Sequence, residues 1–143
     1  MNYYSTRNRK LKTDLREAVL TGLAPDGGLY MPAHFPILER GELEELRDQE
    51  LTSISVILAR KLFGESIPAD ELDIITAEAV NFDTPLVQVE PDLFSLELFH
   101  GPTLAFKDVG ARFLARLLGY YTRDIKGDIH VLVATSGDTG SAV

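Results

Sequence analysis

The stretch ELFHGPTLAFKDVGARFLARLLGYY, Glu97 to Tyr121, decides how the rest of the chain is read. It opens as a strand, breaks at Gly101-Pro102, and then places Phe106, Val109, Phe113, Leu114, Leu117, Leu118 and Tyr121 at steps of three and four. That spacing puts them on one face of a helix. Arg112 and Arg116, four apart, lie on another face. Lys107 falls in the helix's opening turn, where partial positive charge disfavours a cation. Ala105, Phe106 and Val109 add apolar neighbours, and both effects favour the neutral amine. A lysine with a free amine is what imine formation with an aldehyde requires. The competing reading is a solvent-exposed lysine that happens to fall in a first turn. Asp108 suits the helix start electrostatically and need be nothing more.

Downstream, Lys126-Gly127-Asp128 reads as a turn, and the β-branched run 129–134 suits a strand buried on both faces of a parallel sheet. Strand, helix, strand and the start of a further helix make an α/β pattern. The segment TSGDTG, Thr135 to Gly140, lies between that strand and that helix start. Small residues there let backbone N–H groups converge on an anion. It is neither a Walker A loop nor GxGxxG, and a plain tight turn is the other reading. Ser141-Ala142-Val143 reads as the first turn of a helix, so the chain is expected to be truncated and to hold only part of any active site.

Upstream the character is different. Residues 2–6 suit a short strand. A helix is expected over 14–20, capped by Thr13 and stopped by Gly22. Pro25-Asp26-Gly27-Gly28 make a turn, and Pro32 and Pro36 are expected to prevent regular pairing. Helices follow over 42–47, over 53–63 with Ile54, Ile57, Leu58 and Leu62 on one face, and over 68–80 with Leu72, Ile74, Ile75 and Ala79 inward. From residue 84 strands are expected at 86–89 and 94–99 around a Pro91-Asp92 turn. The division is therefore a mostly helical module, 1–83, and the start of an α/β domain, 84–143.

Composition removes several classes of function. With 143 residues, 45% apolar and 25% charged, the chain reads as a globular protein without a membrane span or a secretory signal. Its net charge of −8 speaks against nucleic acid. The absence of cysteine removes disulfides and thiolate chemistry and suits the cytoplasm. Three histidines with no i, i+4 pair give a metal site no support. Ser136 has no G-x-S-x-G elbow around it, so a serine hydrolase is not indicated.

FHGPTLAFKDVGARF resembles the pyridoxal-phosphate lysine segment of the threonine synthase family, and VATSGDTGSAV resembles that family's Gly-rich loop. YYSTR near the start and LTGLAPDGGLYMP at 20–32 are similar to the N-terminal module of its longer form. The segments occur in register along essentially the whole chain, although 39–80 matches by position alone. The resemblance implies a fold-type II enzyme that converts O-phospho-L-homoserine and water to L-threonine and phosphate. It implies Lys107 as the residue that binds pyridoxal 5'-phosphate and then moves protons as acid and base. It implies Ser136, Gly137, Asp138 and Thr139 as the loop holding the substrate carboxylate, with Asp138 also against the cofactor. Asp at 138 is closer to the threonine synthase pattern than the Asn of relatives with other specificities.

The family's cofactor-phosphate loop and the residue facing the pyridine nitrogen have no counterpart in this sequence. The fragment alone is therefore expected to be inactive, to bind cofactor weakly or not at all, and to take an amino-acid substrate and the remainder of its own chain as partners. Another fold-type II lyase or dehydratase is the nearest alternative. A non-catalytic module binding an anion or a partner through TSGDTG is the alternative from a different class.

Overall fold

The computed structural model describes residues 1–135 and 137–142. They form two compact units, Met1–Ala77 and Glu78–Val143.

In the first unit, β1 (Tyr3–Ser5) is the middle strand of an antiparallel sheet ordered β2-β1-β3, with β2 at Lys12–Thr13 and β3 at Tyr30–Pro32. Tyr3 and Ser5 are buried and Tyr4 between them is half-buried, the alternation a strand imposes. Proline does not block pairing at β3, because Pro32 is the last residue of an edge strand, where a missing donor is tolerated. Helix α1 (Leu15–Thr21) is capped by Asp14, not Thr13. Thr13 is taken up in β2, and the Asp14 side chain accepts from Glu17 N at 2.8 Å. Gly22, at φ 70°, ends the helix.

The turn after α1 is tied to β1 by polar groups. Ser5 Oγ donates to Asp26 Oδ1 at 2.7 Å, and Gly28 N donates to the same oxygen at 2.9 Å. A Cβ at residue 28 would come within 2.1 Å of Ser5 Oγ, so only glycine fits. These donors hold the Asp26 carboxyl below the usual carboxylate range, the Ser5 hydrogen bond contributing most.

Helices α2 (Arg40–Leu46), α3 (Leu51–Phe63) and α4 (Ala69–Ala79) follow. Each of the first two begins two residues earlier than the apolar pattern suggests: α2 with Arg40-Gly41, which carry no hydrophobic signal, and α3 with Leu51-Thr52. Ile67, Leu72 and Ile75 supply core, and buried Thr76 satisfies its hydroxyl on Leu72 O at 2.7 Å. Ile74 is not inward: it is 58% exposed, one step off the face that Leu72 and Ile75 share. Arg60 of α3 grips Asp73 of α4 with two nitrogens, and Lys61 pairs with Glu42 at 2.5 Å.

In the second unit, β4 (Leu86–Glu90) and β5 (Leu93–Leu96) form an antiparallel hairpin with a bulge between Gln88 and Glu90. The turn is Pro91-Asp92, with Asp92 at φ 63°. The strand ends at Leu96 rather than continuing to Phe99. Helix α5 (Asp108–Thr122) is the longest element, and α6 (Asp138–Ala142) closes the described chain. Arg112 of α5 donates to the carbonyls of Ala79 at 3.0 Å and Glu78 at 2.7 Å and to Asn81 Oδ1 at 2.8 Å. It thereby satisfies carbonyls that the end of α4 leaves open. Arg116, one turn on, pairs with Glu78 at 3.1 Å.

The run 129–134 is not a strand in this structure, and Ile129, Val131, Leu132 and Val133 are all exposed. A β-branched run becomes a strand only when another strand takes its N–H and C=O groups, and no described segment does so.

Candidate active site

Between the hairpin and α5 the chain turns sharply, and the turn is built around Asp108. That residue is the first of α5 and is fully buried. Burying a carboxyl group is costly unless its oxygens find donors. Here Thr103 N donates to Oδ2 at 2.9 Å and Thr103 Oγ donates to Oδ1 at 2.7 Å. Gly101 lies against the same carboxyl: a Cβ there would stand 2.4 Å from Oδ2. Leu104 N donates to Gly101 O at 3.1 Å and Asp108 N to Ala105 O at 3.0 Å, so the loop is wound tightly. Leu104 itself sits at φ 59°, a left-handed backbone that costs a non-glycine residue on the order of 1–2 kcal/mol.

Lys107 is the N-cap of α5, with helical backbone angles and no capping hydrogen bond from its side chain. It is half-buried rather than buried, and its Nζ stands 4.6 Å from the centroid of the Phe106 ring. It opens onto a cleft of about 440 Å³ whose walls include Leu98, Phe106, Val109 and Leu114. Thr139, from the first turn of α6, lines the same cleft. The structure thus brings Lys107 and one residue of the Gly-rich segment to a single apolar hollow.

The other expected site residues are placed differently. Gly137 and Asp138 are exposed and are not among the residues lining that cleft. Gly137 adopts φ 148°, and its carbonyl accepts from Gly140 N at 2.9 Å and Ser141 N at 3.2 Å, which starts α6. Ser136 lies outside the described residues. His100 is paired with Glu97 at 2.7 Å and stacks on Phe99. A second cleft, of about 260 Å³ between Leu114, Leu118, Ile129 and Val131, has no ionisable group on its walls. Among the described residues no cluster of His, Asp or Glu could hold a metal, and no helix is long and apolar enough to cross a membrane.

Neither spacing nor composition points to Thr103, Gly101 or the burial of Asp108. The available signal was Gly-Pro-Thr followed by an acid at the first helical position, but nothing in periodicity says that the acid faces backward. Arg112 was visible as a face of the helix, without its partners.

The family model described as "Threonine synthase N terminus" matches residues 2–80. A threonine synthase of Haemophilus influenzae is 41% identical over 143 residues, covering 100% of this chain and 33% of its own length. One from Escherichia coli is 37% identical over 145 residues, again covering 100% and 33%. The crystal structure of threonine synthase from Escherichia coli superposes with a TM-score of 0.90 at 35% identity, over 99% of this chain and 33% of that one. A threonine synthase from Brucella melitensis, solved with pyridoxal phosphate bound, superposes with a TM-score of 0.80 at 38% identity, over 86% of this chain and 28% of that one. The chain spans about a third of the length of the relatives it matches. The mixed helix-and-sheet fold is therefore that of the N-terminal part of a fold-type II enzyme.

Proposed function

The chain belongs to the threonine synthase family, and from that premise we propose that it forms the lysine-bearing part of a pyridoxal-phosphate enzyme converting O-phospho-L-homoserine and water to L-threonine and phosphate. In this reading residues 1–83 are the family's N-terminal module and 84–143 the start of the catalytic domain. The observation that carries it is a half-buried lysine on an apolar cleft that also receives Thr139.

The donor set fits the cofactor's aldehyde and ring. An aromatic aldehyde needs one amine and apolar walls, and the cleft offers Lys107 with Leu98, Phe106 and Val109. Lys107 would hold the cofactor, and Asp138 would lie against it. Bound there, pyridoxal phosphate supplies an electron sink that stabilises negative charge at an amino acid's α-carbon. Lys107 takes up and returns protons at that carbon and the next. Ser136, Gly137, Asp138 and Thr139 bind the substrate carboxylate and fix its orientation. The apolar walls exclude water and strengthen these polar contacts. The described walls carry no second cation for the cofactor's phosphate. We take that contact, and turnover, to need the rest of a family-length chain, with no nucleic acid or membrane as partner and the cytoplasm as compartment.

Incubation with pyridoxal phosphate, borohydride reduction and peptide mapping test this. The expected product carries the label mainly on Lys107. Label spread over Lys10, Lys12, Lys61 and Lys126 would overturn the assignment. No phosphate should be released from O-phospho-L-homoserine by these 143 residues alone, and release would contradict that part.

A further inference from the structure

We infer that Asp108 is a positioning residue: acting through Thr103, it sets where the Lys107 amine stands. The inference rests on the reading of Lys107 given above. Lys107 has no hydrogen bond from its own side chain to hold it at the helix end, and its amine contacts the Phe106 ring. Its placement must therefore come from the backbone on either side. That backbone is closed into a loop by the two hydrogen bonds from Thr103 to Asp108. Leu104, Ala105, Phe106 and Lys107 are the residues inside the closure.

An acidic residue that merely caps a helix accepts from amides of the following turn. Asp108 does not: both of its oxygens point backward and are filled by Thr103. The carboxyl is fully buried and pressed on Gly101, where no side chain would fit. The loop it closes includes Leu104 in a left-handed conformation, which persists only where surrounding contacts over-determine it. Helix start, strained turn and lysine are thus fixed by one buried side chain that does not itself line the cleft.

The test uses the 143-residue chain and reads the lysines against one another. Trace acetylation with acetic anhydride at fixed pH, mapped by mass spectrometry, gives the reactivity of Lys107 relative to Lys61 and Lys126 in the same molecule. Thr103→Val removes the hydroxyl bond and keeps the shape. Asp108→Asn keeps the size and leaves one oxygen as acceptor. Each is expected to change the relative reactivity of Lys107 about fivefold, the size of one hydrogen bond, with Lys61 and Lys126 unmoved. Thr103→Ser should restore the parent value, which a general loss of stability would not do. An unchanged ratio in Thr103→Val overturns the proposal, and this variant decides the matter if Asp108→Asn fails to fold. Reductive trapping with pyridoxal phosphate separates the two readings. A parent chain that does not trap at Lys107 refutes the anchor, while the acetylation ratios still decide the clamp.

Discussion

In Met1–Ala77, Ile67 and Leu72 are 1% and 0% exposed, whereas in Glu78–Val143 Leu104 is 74% and Leu132 94% exposed. Both units draw on the same kinds of side chain. The first directs Leu15, Ala59, Leu72 and Ile75 into its own interior and pairs Arg60 with Asp73 and Lys61 with Glu42. The second buries Ala79, Val80 and Leu117 and leaves the hairpin's Leu86, Phe94 and Leu96 open. What it does fix firmly are polar points: Asp108 on Thr103, and Arg112 on the carbonyls of Glu78 and Ala79. Apolar burial is therefore greater in the first unit. The second holds its chemistry-bearing loop by hydrogen bonds around a few residues.

The largest effect expected from this contrast is in the first unit's core. Leu72→Ala should lower unfolding free energy by about 2–5 kcal/mol, as truncating a fully buried leucine does, while Leu132→Ala should change it by less than about 0.5 kcal/mol. Denaturant titration of the two variants checks this, and equal losses would erase the distinction. Next comes the helix anchor. Arg112→Ala removes charge-assisted hydrogen bonds to two carbonyls and should cost about 1.5–3 kcal/mol. A value near zero would mean that α5 is held by something else.

The Asp26 knot gives a pH-dependent signature. Its folded pKa lies below the ordinary carboxylate value, chiefly because Ser5 donates to it. Its contribution is therefore present above the unfolded pKa and lost as pH falls through the folded one. Asp26→Asn should flatten that part of the pH–stability profile, and an unaltered slope would contradict the assignment. The smallest effect is at Leu104. Glycine adopts φ 59° freely, so Leu104→Gly should relieve strain and, after glycine's own entropy cost, raise stability by about 0.5–1 kcal/mol. Thermal unfolding would register it as a small upward shift.

The sequence was most informative where one local rule acts alone. The apolar stripe of α5 from Val109 onward, the stop at Gly22, and the Pro91-Asp92 turn are all set by periodicity or by backbone preference, and all are found in place. It was least informative where a second segment decides the outcome. Residues 129–134 have strand composition, yet a strand also needs a neighbour. Pro32 looked like a barrier, but proline at the end of an edge strand is compatible with pairing to β1. The candidate site divides in the same way. Lys107 was legible from its place at a helix start, and Thr139 from its Gly-rich setting. The clamp at Asp108 depends on a side chain turning back toward Thr103, which neither spacing nor composition encodes.

Lys107 and the start of α6 share one hollow. Titrating isotope-labelled chain with pyridoxal phosphate and following amide resonances tests it most directly. Lys107, Phe106 and Thr139 should shift together along a single binding curve. Shifts at Lys107 with Thr139 unmoved, or shifts confined to the other lysines, would contradict it.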